Sequence, residues 1–413
     1  MLIEYICLLL LGIAAGIAAG LLPGLHVNNI GVMALPLLGV FGPIGFAIFL
    51  TAMATSQGFL NFIPSIFLGA PEESTVLSLL PTHRMLFDGR SREAVRLTGL
   101  ANLYGVVLSV MMLPLAFVLV PIAYSAARAV VLPLLFVAVG FLILRERKAE
   151  KILWASTTFF ISGYLGWTCL NITTMSSDQI LLSLFSGLFG MGTLMLSLSS
   201  KQKNFAQDSD DKIEISPKSL WRNSLVGTLG GIIVGLVPGM SPSQIGIFFQ
   251  EISALKNKAG AALEEFQTRQ FIATVASLGA ADALFSIFGV YLMGNPRSGI
   301  SVILQDVFGE MDLSLLATLA GVMLVSAAAA YKAHIFIGYR FARLASRIDL
   351  KKLSLGAIMF VISMVFLSAG LFGLLIMAVS TLVGLLPALT GVSRTHCMGC
   401  LLVPSMLFFM GLG

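Results

Sequence analysis

Charge is what this chain has least of. Of 413 residues, 57% are hydrophobic and only 11% are Asp, Glu, Lys or Arg. Soluble domains carry about 25% charged residues, so a water-soluble globule is excluded. Apolar runs of about 20 residues recur along the whole length, enough to cross a bilayer core of about 30 Å. The short alternating segments of a membrane β-barrel are missing. The expected fold is an all-α polytopic membrane protein. The first apolar run carries Glu4 and no basic n-region, so it reads as a retained segment and not a cleaved signal.

Cysteine is scarce as well. Cys7, Cys169, Cys397 and Cys400 all lie in apolar segments. Cys397-x-x-Cys400 has no second pair beside it, so it reads as small buried packing and no metal site is expected. Walker, His-Glu-x-x-His and Gly-x-Ser-x-Gly motifs are absent too. ATP-driven transport by this chain alone and intramembrane hydrolysis therefore lack their parts, and the chain reads as no enzyme. No basic domain stands outside the apolar segments, which argues against a nucleic-acid partner.

What the chain does have, it has twice. Gly20-Leu-Leu-Pro-Gly24 returns as Gly235-Leu-Val-Pro-Gly239. At the same offset of 215, Gly12, Gly16, Ile30 and Gly31 meet Gly227, Gly231, Ile245 and Gly246, and Asn28-Asn29 meets Ser243-Gln244. A Pro-Gly break at membrane depth frees backbone polar groups that lipid cannot satisfy. Paired breaks in two halves point to a transporter's binding site. A second set matches at an offset of 221: Ser56, Gly58, Asn61 and Ser65 against Ser277, Gly279, Asp282 and Ser286. Each copy is followed by a further break, Gly69-Ala-Pro-Glu-Glu-Ser-Thr75 and Gly294-Asn-Pro-Arg-Ser298.

The net charge of +5 is concentrated in five loops, 81–96, 145–151, 201–222, 251–270 and 340–352. The positive-inside rule places these in the cytoplasm. Residues 5–41 then form a broken hairpin, followed by crossings at about 44–66, 97–120, 126–144, 152–173 and 179–199. Residues 223–250 form a second hairpin, followed by crossings at about 271–293, 313–331, 353–371, 373–390 and 394–413. The expected organisation is a first repeat (1–200), a cytoplasmic linker (201–222) and a second, inverted repeat (223–413). Both termini lie outside, in a multi-pass plasma-membrane protein surrounded by lipid.

The breaks supply the candidate site. Pro23 and Gly24 end one half-helix, and the next starts near Asn28, a favoured N-cap, with Asn29 beside it; Pro238 and Gly239 repeat the break, with Ser241 or Ser243 as the cap and Gln244 beside it. A half-helix N-terminus presents free N–H donors and a partial positive charge, suited to an anion. Ser74, Thr75 and Ser298 are placed to cap a second pair of half-helices. Asp282 is the clearest intramembrane acid and a candidate coupling group. Its match Asn61 is neutral. Glu72 and Glu73 fit either a helix N-terminus or a coupling-ion role. His26, Arg297, Arg394 and His396 are further polar candidates; Arg394 and His396 read equally as an anchor or as cations at an inner vestibule. Lys332 and His334 read as the mark of an inner helix end. No cofactor is called for beyond a coupling Na⁺ or H⁺.

These residues resemble a known family. The paired Pro-Gly motifs, the run Phe62-Ile-Pro-Ser-Ile-Phe-Leu-Gly-Ala-Pro-Glu-Glu73 and Leu80-Pro-Thr-His-Arg84 are similar to the large permease subunit of tripartite tricarboxylate transporters, in its shorter archaeal-type branch. The resemblance covers nearly the whole chain. It implies an uptake permease for carboxylates, driven by an ion gradient, working with an extracytoplasmic binding protein and a small membrane subunit. The function expected is secondary transport of a small organic anion, a di- or tricarboxylate, by alternating access. A carrier of polyprenyl phosphate or another lipid phosphate is the alternative, since half-helix dipoles suit a phosphate equally.

Overall fold

A computed structural model describes residues 2–22, 27–70, 75–144, 146, 148–198, 212–236, 242, 245–246, 249, 261–293, 298–309, 312–345 and 350–412. Among them there are helices and no strand. In chain order they are α1 (Leu2–Leu21), α2 (Val27–Met33), α3 (Leu38–Leu60), α4 (Phe62–Leu68), α5 (Val76–Phe87), α6 (Ser91–Leu144) and α7 (Ala149–Leu170). Next come α8 (Ser177–Phe185), a π-helical stretch (Ser186–Met191), α9 (Gly192–Leu198) and α10 (Pro217–Leu236). The last are α11 (Ala261–Met293), α12 (Gly299–Phe308), α13 (Leu313–Ala345), α14 (Leu350–Thr390) and α15 (Gly399–Phe409). Among the described residues, six stretches are long and apolar enough to cross a membrane: 2–21, 35–68, 91–118, 265–292, 313–345 and 354–390. The chain is a multi-pass membrane protein.

Local chemistry sets the interruptions. α1 ends at Leu21, two residues before Pro23, and α10 ends at Leu236, two before Pro238. In α3, Gly42 takes φ 67° ahead of Pro43, so the apolar crossing proper begins there. Pro64 has no N–H to offer the Leu60 carbonyl, and the helix breaks at Asn61. α4 stops at Gly69, which takes the left-handed conformation at φ 61°. Gly370, at φ 63°, divides α14 where the sequence asks for a turn between two crossings.

Three expectations change. Helix runs through 121–125, where a loop between two crossings is expected; no glycine lies between Gly105 and Gly140 to end it. α11 begins ten residues before the expected 271. α13 continues to Ala345, so Lys332 and His334 mark no helix end, and His334 is drawn inside. It is buried against α6, with Nε2 2.9 Å from the Val95 carbonyl oxygen and 3.2 Å from Thr98 Oγ1.

Two helix pairs carry the centre, and each is zipped by glycines. In α1, Gly12, Gly16 and Gly20 face α3, where a methyl group would run into the carbonyls of Phe49, Met53 and Gln57 in turn. In α10, Gly227, Gly231 and Gly235 face the carbonyls of Thr274, Leu278 and Asp282 on α11. Small residues four apart let helix backbones approach closely in lipid, where apolar surface alone does not drive association. The two ladders match rung for rung. α1 and α10 correspond at an offset of 215, as in the sequence. α3 and α11 correspond at 225, not at the 221 suggested by their Ser and Gly residues. The difference is one helical turn, which leaves the same face forward, so only the packing separates the two registers. α6 crosses α11 tightly at Gly105, whose missing side chain would meet Ser277 and Ala280. The later helices of both halves form a second layer. There Gly163 and Gly166 of α7 face Val403 and the Cys400 carbonyl of α15, and Gly187 in the π-helical stretch faces Ser380 of α14. Cys397 and Cys400 are buried in this layer.

Candidate functional site

A cavity of about 130 Å³ lies where the two zipped pairs meet. Ten of its lining residues form five pairs at the offset of 225: Ala54 and Gly279, Gln57 and Asp282, Gly58 and Ala283, Asn61 and Ser286, Phe62 and Ile287. The wall is thus built from the same face of α3–α4 and of α11. Val27, Asn102, Ser298 and Ile300 complete it. Val27 opens α2, and Ser298 and Ile300 open α12, so two helix starts from different halves converge on the cavity. Gly31 of α2 lies against Ile300 and Ile303 of α12. An apolar recess shares Ala54, Gly58, Asn102, Ala283 and Ile287 with the cavity and is closed by Phe59, Val106, Leu284 and Met323.

The polar groups are fixed by the breaks. Asn102 Nδ2 donates to the Gly58 carbonyl at 3.1 Å, covering a backbone acceptor beside the broken end of α3. Ser298 caps α12: its Oγ accepts from the Ser301 N–H at 3.2 Å, and the Ser301 hydroxyl oxygen accepts from the Ser298 N–H at 2.7 Å. Asp282 is half-buried, with Ser286 Oγ 3.5 Å from its Oδ1 one turn on. Asn61 and Gln57 are buried. Among the described lining residues Asp282 is the one ionisable side chain.

A very different polar site lies near the starts of α6 and α11. Glu93 and Arg269 are almost fully buried and paired, Arg269 Nε to Glu93 Oε1 at 2.7 Å. Arg90 adds a contact to Glu93 Oε2 at 2.8 Å and bonds Glu265 at 3.0 Å. Glu214, just ahead of α10, meets Arg90 at 2.6 Å and Arg269 at 2.9 Å, and its N–H donates to Glu93 Oε1 at 3.0 Å. Burial works against the Arg90 charge, but the three carboxylates outweigh it and raise its pKa. Arg269 and Asp282 are thirteen positions apart on α11, about 20 Å of helix.

Of the residues singled out from sequence, Asn61, Asp282 and Ser298 meet at the cavity; Asn28 and Asn29 lie inside α2, which already includes Val27, so Asn28 is not its N-cap. Thr75 is buried at the start of α5, but its side chain makes no cap bond and does not line the cavity. Arg394 and His396 lie elsewhere. His396 Nε2 is 3.0 Å from Glu146 Oε1, which also accepts the Ser393 N–H at 2.9 Å, while Lys151 Nζ donates to the Gly391 carbonyl at 2.7 Å. These contacts tie Glu146 and Lys151 to the stretch ahead of α15. Burial alone would raise the Glu146 pKa; the Ser393 N–H, His396 and Lys151 outweigh it and lower it. Pro23, Gly24, His26, Glu72, Glu73, Ser74, Pro238, Gly239, Ser241, Ser243, Gln244 and Arg297 lie outside the described residues.

Gln57 and Asn102 escaped the sequence reading. The offset of 221 pairs Gln57 with Leu278 and hides it; the Gly12-Gly16-Gly20 ladder carries the correct register. Asn102 was signalled only as a lone amide in the apolar stretch of α6.

The family model described as "Tripartite tricarboxylate transporter TctA family" matches residues 6–399. An uncharacterized protein of Methanocaldococcus jannaschii is 25% identical over 412 residues, covering 97% of this chain and 98% of its own length. No solved structure matches. A match that takes in nearly all of the 413 residues places the chain in the TctA family of tripartite tricarboxylate transporters.

Proposed function

We propose that this chain is an ion-gradient-driven permease for a small organic anion, a di- or tricarboxylate, and that the cavity between the zipped helix pairs is its transport site. The observation that carries the reading is the lining itself: five residue pairs at one constant offset, drawn from α3–α4 in one half and α11 in the other. Such a wall is what two inverted repeats would build on their shared axis. Substrate would be held by the breaks, with Pro23, Gly24, Asn28, Asn29, Ser74, Thr75, Ser298, Pro238, Gly239, Ser243 and Gln244 as its frame. Thr75 would join it in the alternative state, in which the α5 start takes the place of α12. Asp282 would carry the coupling Na⁺ or H⁺, with Asn61 and Glu73 as further candidates. Alternating access would come from one repeat rocking against the other. A small membrane subunit and an extracytoplasmic binding protein would complete the system. The chain would sit in the plasma membrane with both termini outside, and the Arg269 cluster would then lie on the cytoplasmic side.

Uphill uptake into proteoliposomes tests this. Asp282→Asn is expected to abolish accumulation of citrate against its gradient under imposed Na⁺ or proton gradients. Retained accumulation would remove Asp282 from the coupling mechanism.

A further inference from the structure

The matching ladders make a specific assignment that the sequence register conceals. Gly20 packs on the Gln57 carbonyl, and Gly235 packs on the Asp282 carbonyl. Gln57 and Asp282 therefore occupy the same rung of the two helix pairs, and both line the same cavity. Around them, Asn61 and Ser286 form the next pair along. The four side chains offer a carboxylate, two amide oxygens and a hydroxyl. That is an all-oxygen set suited to a hard cation. One member of the central pair is charged and the other is a neutral group of similar reach.

We propose that Gln57 is the first half's counterpart of Asp282, a ligand of the same coupling cation, and that the single negative charge of this site works from either half. The inference rests on the reading of Asp282 as the coupling carboxylate. Its chemistry is a cation held by oxygen donors, with Na⁺ or a proton as the source. For Na⁺, Gln57 contributes its amide oxygen directly; for a proton, the same oxygen accepts the hydrogen bond of the protonated carboxyl. In both cases the pair spans the interface between the halves, so cation binding is felt by both at once.

The test is the thermal unfolding of purified full-length protein. NaCl is titrated against choline chloride at fixed pH, and pH is titrated in choline chloride alone. Ligand that binds the folded state raises the unfolding temperature. The arm that responds in the wild type identifies the cation. Asp282→Gln should lose that response, and Gln57→Ala should shift its midpoint to higher cation concentration. The exchange Gln57→Asp with Asp282→Gln should regain the response and restore the uphill uptake that Asp282→Gln lacks. No response in the wild type, or a full response in Asp282→Gln, would overturn the coupling site and this proposal together. A response lost in Asp282→Gln but unmoved by Gln57→Ala would overturn the Gln57 assignment and leave Asp282 standing. So would an exchange variant that unfolds cooperatively yet regains nothing.

Discussion

The central cavity and the Arg269 cluster share α6 and α11, yet they treat charge in opposite ways. In the cluster, two guanidiniums are shared among three carboxylates, and the innermost pair is almost sealed from water. In the cavity, one half-buried carboxylate stands among amides and hydroxyls with open space beside it. A buried ion pair that has every partner is a fixed joint: breaking one side leaves the other charge stranded. A carboxylate facing a cavity within the membrane is a group that can change its occupant. The cluster also has no repeat counterpart on the matching helix. At the offset of 225, Glu265 and Arg269 fall on Val40 and Ile44, both apolar. The cavity belongs to both halves, the cluster to one end only.

Substitutions can break this contrast. Arg269→Met removes one of the two guanidiniums that hold buried Glu93, leaving Arg90 and the Glu214 N–H, and should cost about 1.5–3 kcal/mol, the range for a lost hydrogen bond to a charged group. A drop in the unfolding temperature of the detergent-solubilised protein would measure it. Asp282→Asn, by contrast, should leave that temperature nearly unchanged while uptake is lost. Next come the ladders. Gly16→Ala or Gly231→Ala drives a methyl into a facing carbonyl and should cost about 1–3 kcal/mol. Gly58→Ala, where nothing lies within 4 Å, should be tolerated for folding, and the two unfolding curves compare the cases. Asn102→Ala frees the Gly58 carbonyl at the cavity wall. It should cost about 1 kcal/mol, since water in the cavity can take the bond, and it should weaken uptake more than it lowers stability.

The smallest effect concerns pH. The Glu146 pKa is lowered in the folded chain. Its tether to Ser393 and His396 therefore adds stability above the ordinary carboxylate value and loses it as pH falls through the depressed one. A stability profile should be flat in this respect from neutral pH to about 5. The additional loss should come below that and be missing in Glu146→Gln.

Much of this was legible in the sequence, for definite reasons. Pro and Gly act through the backbone, so the ends of α1 and α10 and the kinks at Gly42 and Gly370 are written locally. Asp282 stands out because an ionisable group is costly at such depth, Asn61 through the repeat of its neighbours, and Ser298 because it follows a Pro break. What stayed hidden is tertiary. A slide of one helical turn preserves every face, so Gln57 could not be matched to Asp282 until α1 was seen packed on α3. Arg269 and Glu93 looked like ordinary loop charges, since nothing in either neighbourhood announces a partner 176 residues away. The contact of His396 with Glu146 was hidden for the same reason, since 250 residues separate the two in sequence.

The central claim is that the cavity between α3–α4 and α11 is the path of the substrate. Ala283→Cys places a thiol on its wall, at a residue that lines it and is exposed to it. In a chain otherwise free of cysteine, a polar methanethiosulfonate should modify position 283 and block citrate uptake, and citrate should slow the modification. Modification that leaves uptake intact, at a rate citrate does not alter, would contradict the account.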